Sequence, residues 1–202
     1  MARMQPLPPK SWSPEMREAL AVMPPPDARY TLISEGRPSG FNILGAVAHH
    51  PRLAKAFFTL QAHLLLTTSL NERQRELVIM RTAALRRSTY EWAQHLFMAR
   101  DAGLSDIEIS WIVWGPDAPT WSPGDASVLR AVDDLLLDGV IKDSNWAALA
   151  EHLDPQQILD VIFTAGSYAM LASMLDSLGI ELDEDLQSGV NDLTRPPAEM
   201  VD

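Results

Sequence analysis

The stretch SLNERQRELVIMRTAALRRSTYEWAQHLFMARDAGLS, from Ser69 to Ser105, decides the fold. Its apolar residues recur at three and four positions, at Leu77, Met80 and Ala84 and then at Trp92, Leu96 and Ala99. That is the period of an amphipathic helix. Ser69 followed three residues later by Glu72 reads as a capping box that opens a helix running to about Arg87. Around Ser88 and Thr89 a new helix starts or the old one bends. It runs through Tyr90–Ala102 and stops at Gly103, a left-handed terminator. Ser105 with Glu108 is a second capping box, opening a short helix that holds Trp111 and Trp114 and ends at Gly115 and Pro116.

Outward from this stretch the punctuation stays helical. No proline occurs from Arg52 to Gly115. Ser122 with Pro123 starts a helix through Leu137, Ser144–His152 makes a short one, and Asp154 with Pro155 opens the last long helix, ending near Leu178 and Gly179. Period-two alternation with β-branched enrichment is absent. The fold class is therefore all-α, a multi-helix array with long antiparallel helices. Seven of the fifteen prolines fall in the first 26 residues, so residues 1–40 read as a Pro-rich arm with one short helix over Pro14–Val22. Residues 41–180 form the all-α domain. Residues 181–202 are a tail with seven acidic residues against one arginine, read as a solvated arm or one that drapes a partner.

Composition excludes several classes of function. The chain has 202 residues, a net charge of −11 and no cysteine, so disulfide exchange, iron–sulfur chemistry and cysteine nucleophiles are closed to it. With lysine only at positions 10, 55 and 142, it has no basic face for nucleic acid. The apolar run around Gln157–Leu175 is interrupted by Asp160, Thr164 and Ser167, which argues against a membrane span. Arg3 and Lys10 without an apolar run behind them do not make a signal peptide, and a cytoplasmic location is expected.

The chemistry-bearing residues concentrate between Arg73 and Arg100. Ser88, Glu91 and His95 share one helical stripe, with Glu91 and His95 one turn apart. A carboxylate beside an imidazole orients the ring and suits it to acid–base work near neutral pH. Tyr90 adds a weak acid and Trp92 an aromatic wall. If the preceding helix packs antiparallel, Glu76 faces the same stripe, and Arg73 or Arg81 can anchor a substrate carboxylate. The competing reading is an exposed Glu91–His95 surface pair and a Glu76 neutralised in the ordinary way by Arg73 and Arg75. Glu76, Glu91 and His95 could also hold a divalent ion, but the paired Glu-x-x-His pattern of helical metal sites is missing, so no metal site is assigned. His49 and His50, ahead of Pro51, read as caps or solvent-facing groups. Trp111 and Trp114 read as core or subunit-interface residues, with a pocket wall as the alternative.

The run from Glu76 to His95, with Tyr90-Glu91-Trp92-Ala93-Gln94-His95 followed by Ala102-Gly103-Leu104-Ser105, resembles the carboxymuconolactone decarboxylase and alkylhydroperoxidase D superfamily over about residues 45–180. In the peroxidase branch, a glutamate precedes a Cys-x-x-Cys pair and a histidine follows it. Here the resemblance places Glu76 at that glutamate, Ser88 and Glu91 at the two cysteines, and His95 at the histidine. A serine and a glutamate cannot exchange a disulfide, so the thiol mechanism is excluded. The cysteine-free decarboxylase-like branch fits better.

That resemblance implies a cofactor-free lyase or isomerase acting on a small carboxylated or lactone-like ring compound. His95 would be the acid or base, Glu91 the carboxylate that orients it, Glu76 a second proton carrier and Tyr90 an auxiliary donor. Ser88 and Trp92 would join Arg73 and Arg81 around the substrate. A non-catalytic ligand-binding or assembly protein on the same scaffold is the alternative, and a buried His95 facing Glu76 would favour the enzyme. The expected partners are a small-molecule substrate and further copies of the chain in a dimer, trimer or hexamer, with no nucleic acid and no membrane.

Overall fold

In a computed structural model, which describes residues 2–33 and 35–186, the chain is helical throughout and has no strand among those residues. The helices are α1 Pro14–Leu20, α2 Phe41–Val47, α3 Pro51–Ala62, α4 Glu72–Arg86, α5 Thr89–Asp101, α6 Asp106–Trp114, α7 Pro123–Leu137, α8 Asp143–Ala150 and α9 Pro155–Leu178. A 3₁₀ turn at Pro9–Ser11 precedes α1, and a π-helical turn at His63–Thr67 follows α3.

Helix α4 is the central element, packed by α5, α7 and α9. Leu77, Val78, Ile79 and Met80 are all fully buried, so this turn of the helix is enclosed on every side, as in a helix surrounded by others. On one side, Val78 and Met80 join α5, α6, α7, α8 and α9 in the main core. On the other, Ile79 meets Tyr90, Tyr168, Leu171 and Leu175 in a smaller cluster that borders the site. Helix α9 is long and apolar enough to cross a bilayer by length and composition. In the fold it packs against α4 and α7, with about half of it buried.

The end signals at Ser105/Glu108, Ser122/Pro123, Asp154/Pro155 and Gly179 fall where expected. The opening of α4 differs. Its capping box is Asn71 with Gln74, and the helix begins at Glu72. The reason lies in α9: the buried Asp160 carboxylate accepts bonds from Thr68 Oγ1 at 2.9 Å and from the Ser69 amide at 2.6 Å. Those residues are held in a bend, and the chain turns helical two residues later than Ser69 suggests. Between α4 and α5, Arg87 sits at φ 56° and Ser88 begins the new helix without a side-chain cap. A left-handed arginine costs about 1–2 kcal/mol. Here it reverses the chain in two residues and lays α5 back along α4.

Both flanking segments pack on the chain itself. In the arm, Met16 and Ala19 are fully buried against α2 and α3. The Leu7 amide bonds Gly45 O, and a Cβ on Gly45 would lie 2.5 Å from Leu7 O, so glycine is what allows the arm to lie on α2. The first residues of the acidic tail are likewise not a solvated arm. Asp183 and Leu186 are buried. Asp183 Oδ1 accepts from the Asn42 amide at 2.8 Å and Asp185 Oδ2 from the Ser39 amide at 2.8 Å, placing carboxylates at the positive end of α2. The rest of the tail expectation, over 187–202, lies outside the described residues.

Candidate active site

Glu76 and His95 meet across the α4–α5 pair. Glu76 has no exposed surface. Its Oε2 lies 2.9 Å from His95 Nδ1, and its Oε1 accepts from Arg75 Nε at 2.9 Å. Arg75 is itself buried, with Nη1 donating to Leu65 O and its guanidinium 5.3 Å from the centre of the Tyr30 ring. Burial alone would raise the Glu76 pKa; His95 and Arg75 together hold it below the ordinary glutamate value. A carboxylate at Nδ1 fixes that nitrogen as the N–H donor, so Nε2 is left as the basic nitrogen of a neutral imidazole.

His95 lines a cavity of about 250 Å³. Its walls are largely apolar, from Ile43, Leu44, Phe57, Phe58, Leu65, Met98 and Leu171, and the arm closes one side with Met23, Leu32 and Pro38. Tyr168 of α9 stands edge-on to His95, with ring centres 5.0 Å apart. Burial, with Glu76 and Glu91 nearby, pushes its hydroxyl well above the ordinary phenol value, so it stays a proton donor.

Glu91 also lines this cavity, and among the described residues it is the buried carboxyl with neither oxygen partnered. It is 2% exposed, and neither carboxyl oxygen has a hydrogen-bond partner. Burial pushes its pKa up to about 8; the nearby Ser88 hydroxyl, not in hydrogen-bonding geometry, offsets part of this and Asp176 adds to it. Near neutral pH Glu91 is therefore an un-ionised acid, as an unpaired buried carboxyl must be.

The expected site is thus brought together in part. His95, Glu91 and Tyr90 line the cavity, and Glu76 backs His95. The roles of the two glutamates differ from expectation, because Glu76 and not Glu91 holds the imidazole. Tyr90 is no free donor: its hydroxyl bonds the Asp183 carboxylate, and burial with that neighbour raises its pKa. Arg73 and Arg81 do not reach the cavity. Arg73 pairs with Glu108 and Asp125. Arg81 pairs with Asp133 and donates to the Ile112 and Val113 carbonyls, packed so closely against Gly115 that a Cβ there would lie 2.9 Å from its Nη2. Both arginines join α4 to neighbouring helices. Trp92 turns into the main core and Ser88 is buried at the α5 start, outside the lining.

Elsewhere, His50 caps α3 by accepting from the Leu53 amide, and His49 bonds Gln5 O. Trp111 and Trp114 contact each other, with Trp114 77% exposed and not in the core. Among the described residues no group of three His, Asp or Glu could hold a metal ion.

Two residues of the site were invisible to spacing arguments. Tyr168 lies far along the chain on α9, and Arg75 reads as a surface neutraliser until Glu76 is seen to be buried. The one available signal for Arg75 was its place beside Glu76 in a helix whose next four residues are all apolar.

The site is thus a buried carboxylate–imidazole pair bordering a largely apolar cavity inside an all-α array. Residues 51–134, which contain Glu76, Glu91 and His95, match the Carboxymuconolactone decarboxylase family. Beyond that matched segment, the helical array has the fold of solved alkylhydroperoxidase D-like proteins. Solved structures share the fold at low identity. The alkylhydroperoxidase D core of a peroxidase-related protein from Ralstonia eutropha JMP134 is 17% identical with a TM-score of 0.65, over 80% of this chain and 95% of that one. An Agrobacterium tumefaciens protein described as an antioxidant defence protein is 17% identical with a TM-score of 0.63, over 68% and 94%. The debrominase Bmp8, as a cysteine-to-alanine variant in complex with 2,3,4-tribromopyrrole, is 11% identical with a TM-score of 0.71, over 94% and 96%. No curated protein matches the chain.

Proposed function

We propose that the protein is a cofactor-free acid–base enzyme that moves a proton on a small ring compound, an isomerase of lactone- or enol-type substrates. The observation that carries this reading is His95, tied through Nδ1 to buried Glu76 and lining a cavity whose wall also holds an un-ionised Glu91. His95 Nε2 removes a proton from the carbon α to a ring carbonyl. The electron pair of the broken C–H bond moves into the ring as a dienolate, whose oxygen is held by the Tyr168 hydroxyl with the Glu91 carboxyl as reserve donor. The imidazolium, stabilised by Glu76, returns the proton at the γ carbon. The double bond has moved and His95 is neutral again.

Loss of carbon dioxide, the other reaction implied by the family name, requires a substrate carboxylate. Among the described residues the cavity lining contains no arginine or lysine to receive one, so the observations favour the isomerisation. The fold likeness to a debrominase bound to a small halogenated pyrrole is compatible with a ring-sized ligand.

The test uses α-angelica lactone in D₂O. The protein is expected to convert it to the conjugated β isomer with the substrate's own α hydrogen carried to the γ carbon in preference to solvent deuterium, and His95→Gln to lose this activity by roughly 10²–10⁴-fold, the usual share of a general base. Turnover that survives in His95→Gln would defeat the reading. The rate should also fall above pH about 8 as Glu91 ionises, and that limb should vanish in Glu91→Gln.

A further inference from the structure

The acid–base reading leaves the charge of the substrate open, and the cavity itself restricts it. We infer that the cavity rejects carboxylates and takes uncharged, single-ring compounds, binding those that carry an O–H or N–H donor more tightly than donor-free ones such as the lactone. The inference rests on the proposed function only in taking the same cavity as the binding site.

Three observations carry it. The first is the absence of a counter-charge. Of the nearby cations, Arg75 is occupied by Glu76 and Leu65 O, and Arg73 and Arg81 are paired with carboxylates on other helices. An anion entering this space would lose its hydration and gain no partner, while Glu76 and Asp183 stand behind the wall. The second is size and surface. About 250 Å³ exceeds the roughly 150 Å³ of an apolar cavity that takes up benzene, and it suits one substituted ring. Phe57, Phe58, Tyr90 and Tyr168 supply ring edges and faces for it. The third is His95. With Nδ1 committed to Glu76, its Nε2 is an acceptor in an otherwise apolar space, and a ligand without a donor leaves it unpaired.

The test is equilibrium binding at pH 7 of four probes of similar size: phenol, anisole, benzoate and benzylamine, followed by calorimetry or ligand-observed NMR on the full chain. Phenol is expected to bind at least about ten-fold more tightly than benzoate or benzylamine and several-fold more tightly than anisole. His95→Gln should change the phenol-to-anisole ratio while leaving the rejection of benzoate intact, which a merely unfolded variant would not do. Benzoate or benzylamine binding as well as phenol overturns the inference, and so does anisole equalling phenol or failure of all four to bind. Because no turnover is read, selective phenol binding with no isomerisation of the lactone would sustain this inference and defeat the catalytic one. Isomerisation without the charge preference would do the reverse.

Discussion

The carboxyls of Glu76 and Glu91 are both buried, one on α4 and one on α5, yet their surroundings send their protons in opposite directions. Around Glu76, Arg75 contributes a hydrogen bond and positive charge and His95 a second hydrogen bond, and these partners outweigh the cost of burial. Among the described residues neither Glu91 oxygen has a hydrogen-bond partner and no cation acts to lower its pKa, so burial wins. Depth alone therefore does not decide protonation; the partners do. The α4 side of the site holds a fixed charge that orients His95, and the α5 side holds a proton.

The largest expected effect comes from breaking the α4 side. Glu76→Ala leaves Arg75 buried without its carboxylate, and denaturant unfolding should show a loss of about 3–5 kcal/mol. Equal stability of variant and wild type would mean that Glu72, 3.9 Å from Arg75 Nη2, suffices as its partner. The α5 side should respond with the opposite sign. Between the ordinary glutamate pKa and about 8, the native state keeps a proton on Glu91 that the unfolded chain has released. Stability therefore falls as pH rises across this window, by up to about 1.4 kcal/mol per pH unit, and Glu91→Gln should remove the slope and raise the melting temperature at pH 8. For Glu76, whose native pKa is lowered, the stabilisation is present above the unfolded value and is lost as acid carries the pH down through the native one.

Smaller effects sharpen the boundary of the site. Tyr90→Phe releases the Asp183 carboxylate from its hydroxyl and should cost about 1–3 kcal/mol, with proton transfer retained if Tyr168 and not Tyr90 is the working donor. Arg73→Gln removes partly exposed ion pairs with Glu108 and Asp125. It should cost about 1 kcal/mol or less and leave lactone isomerisation within about two-fold, where a carboxylate anchor would have been felt strongly.

Much of the scaffold was legible from local signals, because capping residues and left-handed glycines act over three or four positions. Ser105 with Glu108 and Asp154 with Gln157 close their boxes without help from elsewhere. Ser69 failed as a cap because its amide is claimed by Asp160 from α9, a contact no local pattern encodes. The same division runs through the site. Glu76 facing His95 follows from two helices joined by a short turn, and the stripe containing Glu91 follows from helical spacing. Which glutamate holds the imidazole does not follow, since an i, i+4 pair and a cross-helix pair look equally good on paper. Arg73 and Arg81 attracted a substrate role through their type and nearness in sequence. Their side chains leave α4 on other faces, toward Asp125 and Asp133 of α7. The acidic tail illustrates the reverse error: its composition suggests solvation, but Asp183 and Asp185 accept from the amides of Asn42 in α2 and of Ser39 just ahead of it.

The central claim is that one site holds an ionised Glu76 behind His95 and an un-ionised Glu91 in the cavity wall. Carbon-13 NMR of labelled glutamate side-chain carboxyls, titrated from pH 3 to 10 and assigned with Glu76→Gln and Glu91→Gln, measures both directly. The account predicts that the Glu91 signal moves with a midpoint near 8, while that of Glu76 stays in its ionised position down to below the ordinary glutamate range. Two signals titrating together at that ordinary value would contradict it.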